Sequence, residues 1–326
     1  MFETIKTLVG AFGPSGCEKS VAAVIRSMLE GKVDEIRVNN LGNLIAVKKG
    51  NGKKIMLAAH MDEIGLIVSY IDEKGFLRFG KVGGVTPLVA LGQRVVFKNG
   101  VTGVVWYEEN IENIKEAKIE KMYIDIGAGS EESAKKLVSI GDLAIFQGET
   151  IQQNGKIISK TLDDRAGCAI LAKLAMSRPE TDNEIYYVFT TQEEVGLRGA
   201  KTAAYGIMPD MAVAVDVTKT GDTPSSKPMA VKLGAGPAIK IKDSSVITHP
   251  EVRDRLVKAA TENNIPYQFE VLEQGGTDAG SIHITAGGIP SGGVSIPTRF
   301  VHSTAEMADM KDIENAVLLL KEFVCL

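Results

Sequence analysis

Residues 185–200 read IYYVFTTQEEVGLRGA, and their pattern indicates both a fold class and the position of a candidate site. Its first five residues are β-branched, aromatic or apolar, a composition typical of a buried strand. The strand runs toward two adjacent carboxylates, Glu193 and Glu194, and a glycine. In α/β folds the carboxyl ends of the strands carry the chemistry. Neighbouring side chains of an extended chain point in opposite directions, so these acids can hold two tasks, one as a ligand and one as a base.

The composition limits the classes of protein that the chain can belong to. Its 326 residues predict about two domains, and 44% hydrophobic with 24% charged residues is ordinary for a globular protein. A net charge of −4 argues against nucleic-acid partners, because nucleic-acid-binding domains are usually basic. Small molecules or peptides are the favoured ligands.

Targeting patterns and cysteines indicate a cytoplasmic protein. The first eleven residues have apolar side chains at helical spacing without the basic start of a signal peptide. No stretch approaches the ~18 apolar residues of a membrane span, so we expect no membrane partner. The cysteines, Cys17, Cys168 and Cys325, are odd in number and lack CxxC spacing, which favours reduced, structural thiols.

The N-terminal part alternates helices and strands. A first helix is expected to end at Gly13-Pro14, and Ser15 with Glu18 forms a predicted capping box for a second helix. Strands are expected near 33–38, 44–47 and 54–59. The last of these is apolar and runs directly into His60, which places that histidine at a strand end.

The pattern of residues changes in 66–159, and this segment is predicted to form an inserted β-rich domain. Short alternating strands with glycine turns are expected at 67–71, 76–79, 94–97 and 101–106, the last two joined at Asn99-Gly100. The single long helix expected here lies near 131–138, and Ile111–Lys121 is expected to be a charged loop. The insert holds no histidine, so we do not expect it to supply an imidazole to a metal site.

The α/β pattern resumes after residue 160 and completes a discontinuous domain made of residues 1–65 and 160–326. The remaining elements are expected to be helices at 169–176, 250–262 and 310–324 and strands at 185–189, 211–215, 268–271 and 293–296. Helices that alternate with strands in this way predict an α/β fold of three layers with a central sheet.

Five side chains at predicted strand ends or just beyond them have metal-binding chemistry. They are His60, Asp163, Glu194, Asp216 and His302. Two imidazoles and three carboxylates suit a pair of divalent first-row metals, with one carboxylate between them. Asp62, two residues after His60, is expected to orient that imidazole.

Five motifs together resemble those of the tetrahedral co-catalytic metallo-aminopeptidases, a family that includes glutamyl aminopeptidases and some relatives labelled cellulase or endoglucanase. The motifs are GPSG at 13–16, HMD at 60–62, LDDR at 162–165, QEEVGLRGA at 192–200 and RFVHS at 299–303. They occur in order over nearly the whole chain. The resemblance implies a phosphorylase/hydrolase-like three-layer αβα catalytic domain with a mostly parallel sheet, and a barrel-like dimerisation domain in the insert.

The resemblance also implies a role for each site residue. One metal would lie on His60 and Asp216 and the other on Glu194 and His302. Asp163 would bridge them, although the adjacent Asp164 could in principle ligate instead, and Glu193 would be the general base. The implied cofactors are two divalent ions per subunit, zinc or cobalt first and manganese next.

The implied substrates are short peptides, which lose their N-terminal residue, and the implied assembly is a dodecamer built from dimers. The preferred first residue and the native metal stay open, because mixed nitrogen and oxygen ligands discriminate poorly between such ions.

Other polar residues have simpler interpretations. His249 and His283 are more simply explained by a helix start and a loop position than by a site. Gln274–Gly280 lacks the Walker lysine and the GxGxxG spacing, so a substrate-facing or interface loop is expected rather than a phosphate loop. Arg198 is expected to be a structural ion-pair partner.

Two other functions remain as alternatives. Acidic pairs also cleave glycosidic bonds, but 6% aromatic residues and a single tryptophan, Trp106, offer little sugar-stacking surface. The second alternative is an inactive protein that keeps the fold for assembly, against which the intact Glu193 argues. Hydrolysis of aminoacyl amides and of a β-glucan, each with and without chelator, separates these functions.

Overall fold

The computed structural model describes residues 1–109 and 117–326. The strands there are β1 (Glu35–Val38), β2 (Leu44–Lys48), β3 (Lys54–His60), β4 (Gly65–Ile71), β5 (Leu77–Val82), β6 (Arg94–Phe97), β7 (Thr102–Tyr107), β8 (Met122–Asp125), β9 (Leu143–Phe146), β10 (Ile151–Gln153), β11 (Lys156–Ser159), β12 (Glu184–Thr190), β13 (Met211–Thr218), β14 (Ala238–Lys242), β15 (Gln268–Val271), β16 (Ser291–Arg299) and β17 (Glu306–Asp309). The helices are α1 (Phe2–Val9), α2 (Lys19–Leu29), α3 (Pro87–Ala90), α4 (Glu131–Lys135), α5 (Leu162–Ser177), α6 (Arg198–Ile207), α7 (Pro250–Glu262), α8 (Ala279–Ile282) and α9 (Met310–Cys325), with a 3-10 turn at Ile119–Lys121.

One large sheet forms the middle of the molecule. Its order is β1-β2-β12-β3-β13-β16-β17-β11-β10, and β14 with β15 branches from β16. The central strands β12, β3, β13 and β16 are parallel, and antiparallel strands extend the sheet on both sides. The parallel centre agrees with the prediction. It also places the carboxyl ends of four strands along one edge.

Helices cover both faces of the sheet, which gives the three layers expected. The side chains of β3 alternate, with Ile55, Leu57 and Ala59 packed on the face of α1, α2, α5, α7 and α9. Met56 and Ala58 face α6 and α8 on the other side. Because both faces are covered, residues 55–59 of β3 are all apolar, as in buried parallel strands.

A closed six-stranded barrel lies between β3 and β10 in the sequence. Its strands follow the order β4-β5-β8-β7-β6-β9. The interior is a separate apolar cluster that includes Leu66, Leu77, Val95 and Ile124. Because the barrel is closed, none of its six strands has a free edge. Across residues 1–109 and 117–326, no helix is long and apolar enough to cross a membrane.

The N-terminal capping prediction is wrong. The first helix ends at Val9 rather than at Gly13-Pro14, and α2 begins without a side-chain cap. Ser15 instead donates a hydrogen bond to Asp62 at 2.6 Å. Glu18 accepts backbone hydrogen bonds from Gly16 and Gln192. These two side chains are used for long-range contacts, which local patterns do not reveal.

Other differences concern the length of elements. The predicted helix at 131–138 is only the five-residue α4, because the chain turns back toward β9. The helix α6 was not predicted, and β13 and β16 both continue beyond their predicted ends. Of the predicted loop Ile111–Lys121, residues 111–116 lie outside the described ranges, and 119–121 form the 3-10 turn.

Candidate metal centre and active site

Three segments bring the polar side chains to one edge of the sheet. His60 is the last residue of β3 and lies opposite Thr190 at the end of β12. Glu193 and Glu194 follow β12 directly. Asp216 lies within β13, two residues before the last one, rather than just after a strand as predicted. The hydrogen bonding of the parallel strands therefore fixes the spacing between these groups.

The first group of candidate ligands is centred on His60. Its Nε2 atom lies 3.0 Å from Asp163 Oδ1 and 3.8 Å from Asp216 Oδ1. All three residues are buried, and their ligand atoms lie within 4.8 Å of one another. Glu193 Oε2 is 3.9 Å from the same nitrogen but belongs to neither group of candidate ligands.

The second group shares Asp163. His302 Nε2 lies 3.2 Å from Asp163 Oδ2 and 3.2 Å from Glu194 Oε1. Asp163 thus directs one oxygen to each histidine. The five metal-ligand candidates predicted from the sequence form two adjacent groups of three, with this carboxylate common to both.

Asp163 and Asp164 are neighbours with different surroundings. The peptide bond between them is cis, and both residues have non-helical backbone angles at the start of α5. The Asp164 carboxylate accepts hydrogen bonds from the backbone nitrogens of His60, at 3.2 Å, and Gly167, at 2.9 Å. Asp164 is fully buried and belongs to neither ligand group, so its contacts are those of a structural support.

Asp62 connects the histidine to the two glutamates. Its carboxylate accepts hydrogen bonds from the backbone nitrogens of Glu193 at 2.9 Å and Glu194 at 3.1 Å. The His60 Nδ1 atom lies 3.1 Å from the Asp62 backbone oxygen and 3.6 Å from its carboxylate. Asp62 is fully buried, so these contacts fix both the imidazole and the turn that follows β12.

Glu306 supports the second group and was not found by the sequence analysis. Its two carboxylate oxygens accept hydrogen bonds from the backbone nitrogens of Asp163 at 3.0 Å and His302 at 2.8 Å. Burial raises the pKa of Glu306 well above its ordinary value. Its only sequence signal is a lone acid four residues after His302, which is too common to identify a support.

The barrel touches the second group through a pair of glycines after β5. A Cβ atom at Gly84 would collide with the ring of His302. Gly83 has φ +75°, and a Cβ atom there would lie 3.0 Å from Glu194 Oε2. The backbone of the insert therefore lies directly against two candidate ligands.

The electrostatics of the site reflect carboxylates that are buried together. Burial raises the pKa of Glu193 and of Asp216 well above ordinary carboxyl values, and neighbouring carboxylates add to this. Burial opposes charge on His302, but hydrogen bonds with Asp163 and Glu194 outweigh it and raise the His302 pKa to about 11. The pKa of Asp163 is lowered, because its hydrogen bonds with both histidines outweigh burial.

The donor set fits two divalent first-row cations. Each group offers one imidazole nitrogen and two carboxylates, a combination that binds zinc, cobalt or manganese. Buried carboxylates this close together repel one another, and positive charge between them would relieve the repulsion. The residues present are therefore those that such cations require.

A cavity of about 490 Å³ opens onto the two groups. Gln274, Gly275 and Gly276 line it together with the site residues, so part of the predicted substrate-facing loop faces the site. His249 and His283 line a different cavity, in keeping with their simple interpretation.

The ion pair predicted for Arg198 is wrong, because its guanidinium donates to the Gln192 amide oxygen and forms no ion pair within the described ranges.

Asp278 is a second acid that the sequence analysis missed. It accepts a hydrogen bond from the Thr190 hydroxyl at 2.5 Å, and its other oxygen, Oδ1, has no hydrogen-bond partner in the part of the chain that the structure describes. Burial raises its pKa to about 6. This carboxylate lies beneath the end of β12, close enough to raise the pKa of Glu193.

Curated proteins with similar sequences carry aminopeptidase names. A protein of Acetivibrio thermocellus named "Putative aminopeptidase" is 61% identical over all of this chain and 98% of its own length. A lysyl aminopeptidase of Pyrococcus furiosus is 32% identical (98% of this chain, 95% of the relative). A glutamyl aminopeptidase of Lactococcus lactis is 30% identical (99% and 96%).

Solved structures agree with the fold over its full length. An aminopeptidase from the archaeon Desulfurococcus kamchatkensis has a TM-score of 0.96 at 40% identity, covering 99% of this chain and 94% of that one. The TET1 peptidase of Pyrococcus horikoshii, which can assemble into a tetrahedron or an octahedral shell, has a TM-score of 0.88 at 32% identity (99% and 98%). A Thermotoga maritima protein named endoglucanase has a TM-score of 0.84 at 35% identity (98% and 96%).

The family model for M42 glutamyl aminopeptidases matches residues 42–319. This range contains both groups of candidate ligands, Asp62, Glu193 and the whole barrel. The chain therefore belongs to the M42 glutamyl aminopeptidase family and is a metal-dependent aminopeptidase.

Proposed function

We propose that the protein removes the N-terminal residue of short peptides by hydrolysis that depends on two metal ions in each subunit. The observation that carries this proposal is the pair of buried ligand groups that share Asp163. One cation would lie on His60, Asp163 and Asp216, and the other on Asp163, Glu194 and His302. When bound, such a pair would lower the pKa of a bound water toward neutral pH and would polarise the scissile carbonyl.

Glu193 is the proposed general base. It lies beside the first group without belonging to it, so its carboxylate remains free to exchange a proton. The pKa raised by burial brings this carboxylate closer to the working pH, which suits proton transfer. Glu193 would accept a proton from the attacking water and return it to the leaving amine. Such a base contributes about 10²–10⁴-fold to the rate.

Asp62 is proposed to act as a positioning residue. Its carboxylate holds the backbone of Glu193 and Glu194, and its contacts with His60 Nδ1 leave Nε2 directed at the candidate ligands. Asp62 therefore aligns a ligand of each metal with the base.

The charge of the cavity favours an exopeptidase. Glu193, the carboxylate of its wall that belongs to neither ligand group, suits the ammonium group of a free peptide N-terminus. The preferred first residue is not predicted, since relatives of similar identity are named as lysyl and glutamyl aminopeptidases.

Hydrolysis of sugars is less well supported, although one structural neighbour is named endoglucanase. Glycosidases need two carboxylates and no imidazoles. Here two histidines and a shared carboxylate are brought together, and among residues 1–109 and 117–326 neither Trp106 nor another Phe, Tyr or Trp lines the cavity at the site. An inactive assembly protein would have no need of Glu193, which is present beside His60.

The test is hydrolysis of a panel of aminoacyl p-nitroanilides and of a β-glucan. We expect release of nitroaniline that disappears with chelator and returns with zinc, cobalt or manganese, and no release of sugar. Cleavage of the glucan, or cleavage of the amides that chelator leaves unaffected, would contradict the proposal.

We also propose that the chain assembles through the barrel. In this proposal residues 66–159 form the dimerisation domain, residues 1–65 with 160–326 form the catalytic domain, and dimers build a tetrahedral dodecamer. The similarity to a peptidase that forms tetrahedra supports this. The large apolar side chains exposed on the barrel, including Leu88 and Trp106, also support it.

A further inference from the structure

A second cavity of about 650 Å³ lies next to the cavity at the metal groups. Three residues, Lys219, Leu272 and Gln274, line both cavities. The remaining walls come from the segment 227–230 and from β15 with the residues after it. The second cavity is therefore a groove between a strand and a loop, and it adjoins the candidate active site.

The strand in this groove has a free edge. In the sheet, β15 pairs with β14, and no other strand in residues 1–109 and 117–326 pairs with it. The backbone nitrogens of Gln268 and Leu272 donate toward β14, to Pro237 at 3.0 Å and Lys242 at 2.9 Å. The N–H and C=O groups of successive residues point to opposite edges of a strand. Those of Phe269 and Val271 therefore point to the outer edge.

The free edge carries exposed apolar side chains. Phe269 and Val271 are 47% and 58% exposed, and both line the groove. An edge strand with unpaired backbone groups and exposed apolar side chains is a template for another extended chain. Met229 and Pro228 on the loop side give the groove a second apolar wall.

The charge of the groove complements a short peptide with a free C-terminus. Lys219 and Lys227 line it, against one carboxylate, that of Glu273. This surplus of positive charge suits the C-terminal carboxylate of a short peptide.

We propose that the substrate peptide binds along β15 as an added antiparallel strand, with the residues beyond the scissile bond in the groove. This inference rests on the proposed aminopeptidase function. The direction follows from the geometry, because the Leu272 end of the strand is the one that borders the metal cavity. A peptide whose N-terminus is at the metals must run from Leu272 toward Phe269, opposite to β15. Hydrogen bonds to Val271 and Phe269 then engage every second peptide residue.

A scan of backbone N-methyl groups tests the added strand. A hexapeptide with a free C-terminus is compared with versions methylated singly at the amide nitrogens of residues three, four and five, and kcat/KM is measured for each. Methylation removes one donor, so we expect an alternating pattern, with at least a tenfold loss at a position that faces Val271 or Phe269 and less than twofold at its neighbours. A uniform loss at all three positions, or no loss at any, overturns the proposal.

A blocked groove provides a second measurement. Ala230 is exposed on the loop wall, and Ala230→Trp fills the space where the peptide would lie. The ratio of kcat/KM for the hexapeptide to kcat/KM for an aminoacyl p-nitroanilide should fall about tenfold. Ala23→Trp, at an exposed alanine of α2, is the matched control and should leave the ratio unchanged.

The outcomes distinguish the two proposals. If the wild type does not cleave aminoacyl p-nitroanilides, the proposed function fails. The other outcome is that the wild type cleaves the anilides while N-methylation changes kcat/KM at no position and Ala230→Trp has the same hexapeptide-to-anilide ratio as Ala23→Trp. In that case the proposed function stands and the added strand is overturned.

Discussion

Two neighbouring residues, Glu193 and Glu194, differ in what their carboxylates contact. Only Glu194 lies within reach of His302 in a ligand group. We therefore expect Glu193→Gln to keep two metals while kcat falls by about 10²–10⁴-fold, the contribution of a general base. Glu194→Gln should lose one metal. Metal analysis of both purified variants alongside kcat decides this, and equal metal loss in both would contradict the division of roles.

Asp278 should make stability depend on pH in the metal-free protein. Its folded pKa of about 6 lies above the ordinary value of 3.8, so the folded state binds the proton more tightly. The free energy of unfolding therefore falls as pH rises from about 4 to about 6, and the full cost of about 3 kcal/mol is present above that range. Asp278→Asn removes this charge and keeps an acceptor for Thr190.

Urea unfolding with chelator present checks the Asp278 prediction. The variant should be more stable than the wild type by up to about 3 kcal/mol at pH 8 and by about half of that at pH 5. An equal difference at the two pH values would show that Asp278 does not titrate in this range.

Single residues were predictable where their chemistry is rare and not where it is common. The two histidines and their acids stand out because few side chains bind metals, and the structure brings all of them together. Glu306 and Asp278 carry no such signal, since acids are frequent and their roles depend on burial by distant segments. Ser15 and Glu18 were wrongly assigned to a local cap because their roles also depend on contacts with distant segments.

At the level of elements, the turn after β5 should control the second metal position. Gly84→Ala places a methyl group against the ring of His302 and displaces that ligand. We expect the variant to fold, to bind one metal at wild-type affinity and to bind the second at least tenfold more weakly. Titration calorimetry of chelator-treated protein measures both affinities.

Gly129→Ala is the control for this variant. Gly129 also lies in the insert, and a Cβ atom there has no other atom within 4 Å. If Gly84→Ala and Gly129→Ala bind two metals alike, the barrel contact does not position His302.

Helices and strands were predictable where the spacing of apolar residues agrees with the residues that mark the ends of an element. The helix α7 and the strand β15 have the predicted bounds, because proline, asparagine and apolar spacing mark their ends. The sheet extends β13 past Asp216 by pairing it with β16, which has no local signature. The contact of Gly83 and Gly84 with the site depends on the packing of two units, so no pattern in the insert could reveal it.

For the whole molecule, the exposed face of the barrel should determine assembly. Leu88 on α3 is 77% exposed, and Leu88→Asp places a charge where we expect subunits to meet. Light scattering of the metal-loaded wild type should give a particle of many subunits, and the variant should give a smaller one. Leu318→Asp, at a half-exposed leucine of α9, should keep the wild-type mass.

Two results would contradict this assembly. A wild-type monomer would exclude the dodecamer, and equal dissociation by Leu88→Asp and Leu318→Asp would exclude the barrel as the specific contact. The fold class could be predicted from the alternation of helices and strands. The surface that contacts another subunit could not, because the periodicity of a sequence carries no information about it.

The interrupted sheet has a consequence for the growing chain on the ribosome. The central strand β3 ends at His60, and its two partners, β12 and β13, begin at Glu184 and Met211. At ribosomal rates of about 5–20 residues per second, β3 remains without both neighbours for roughly 8–30 s, and the barrel is synthesised completely during this interval. We expect early nascent chains to hold a folded barrel beside an apolar, unpaired strand, which makes this interval the one in which a chaperone would matter most.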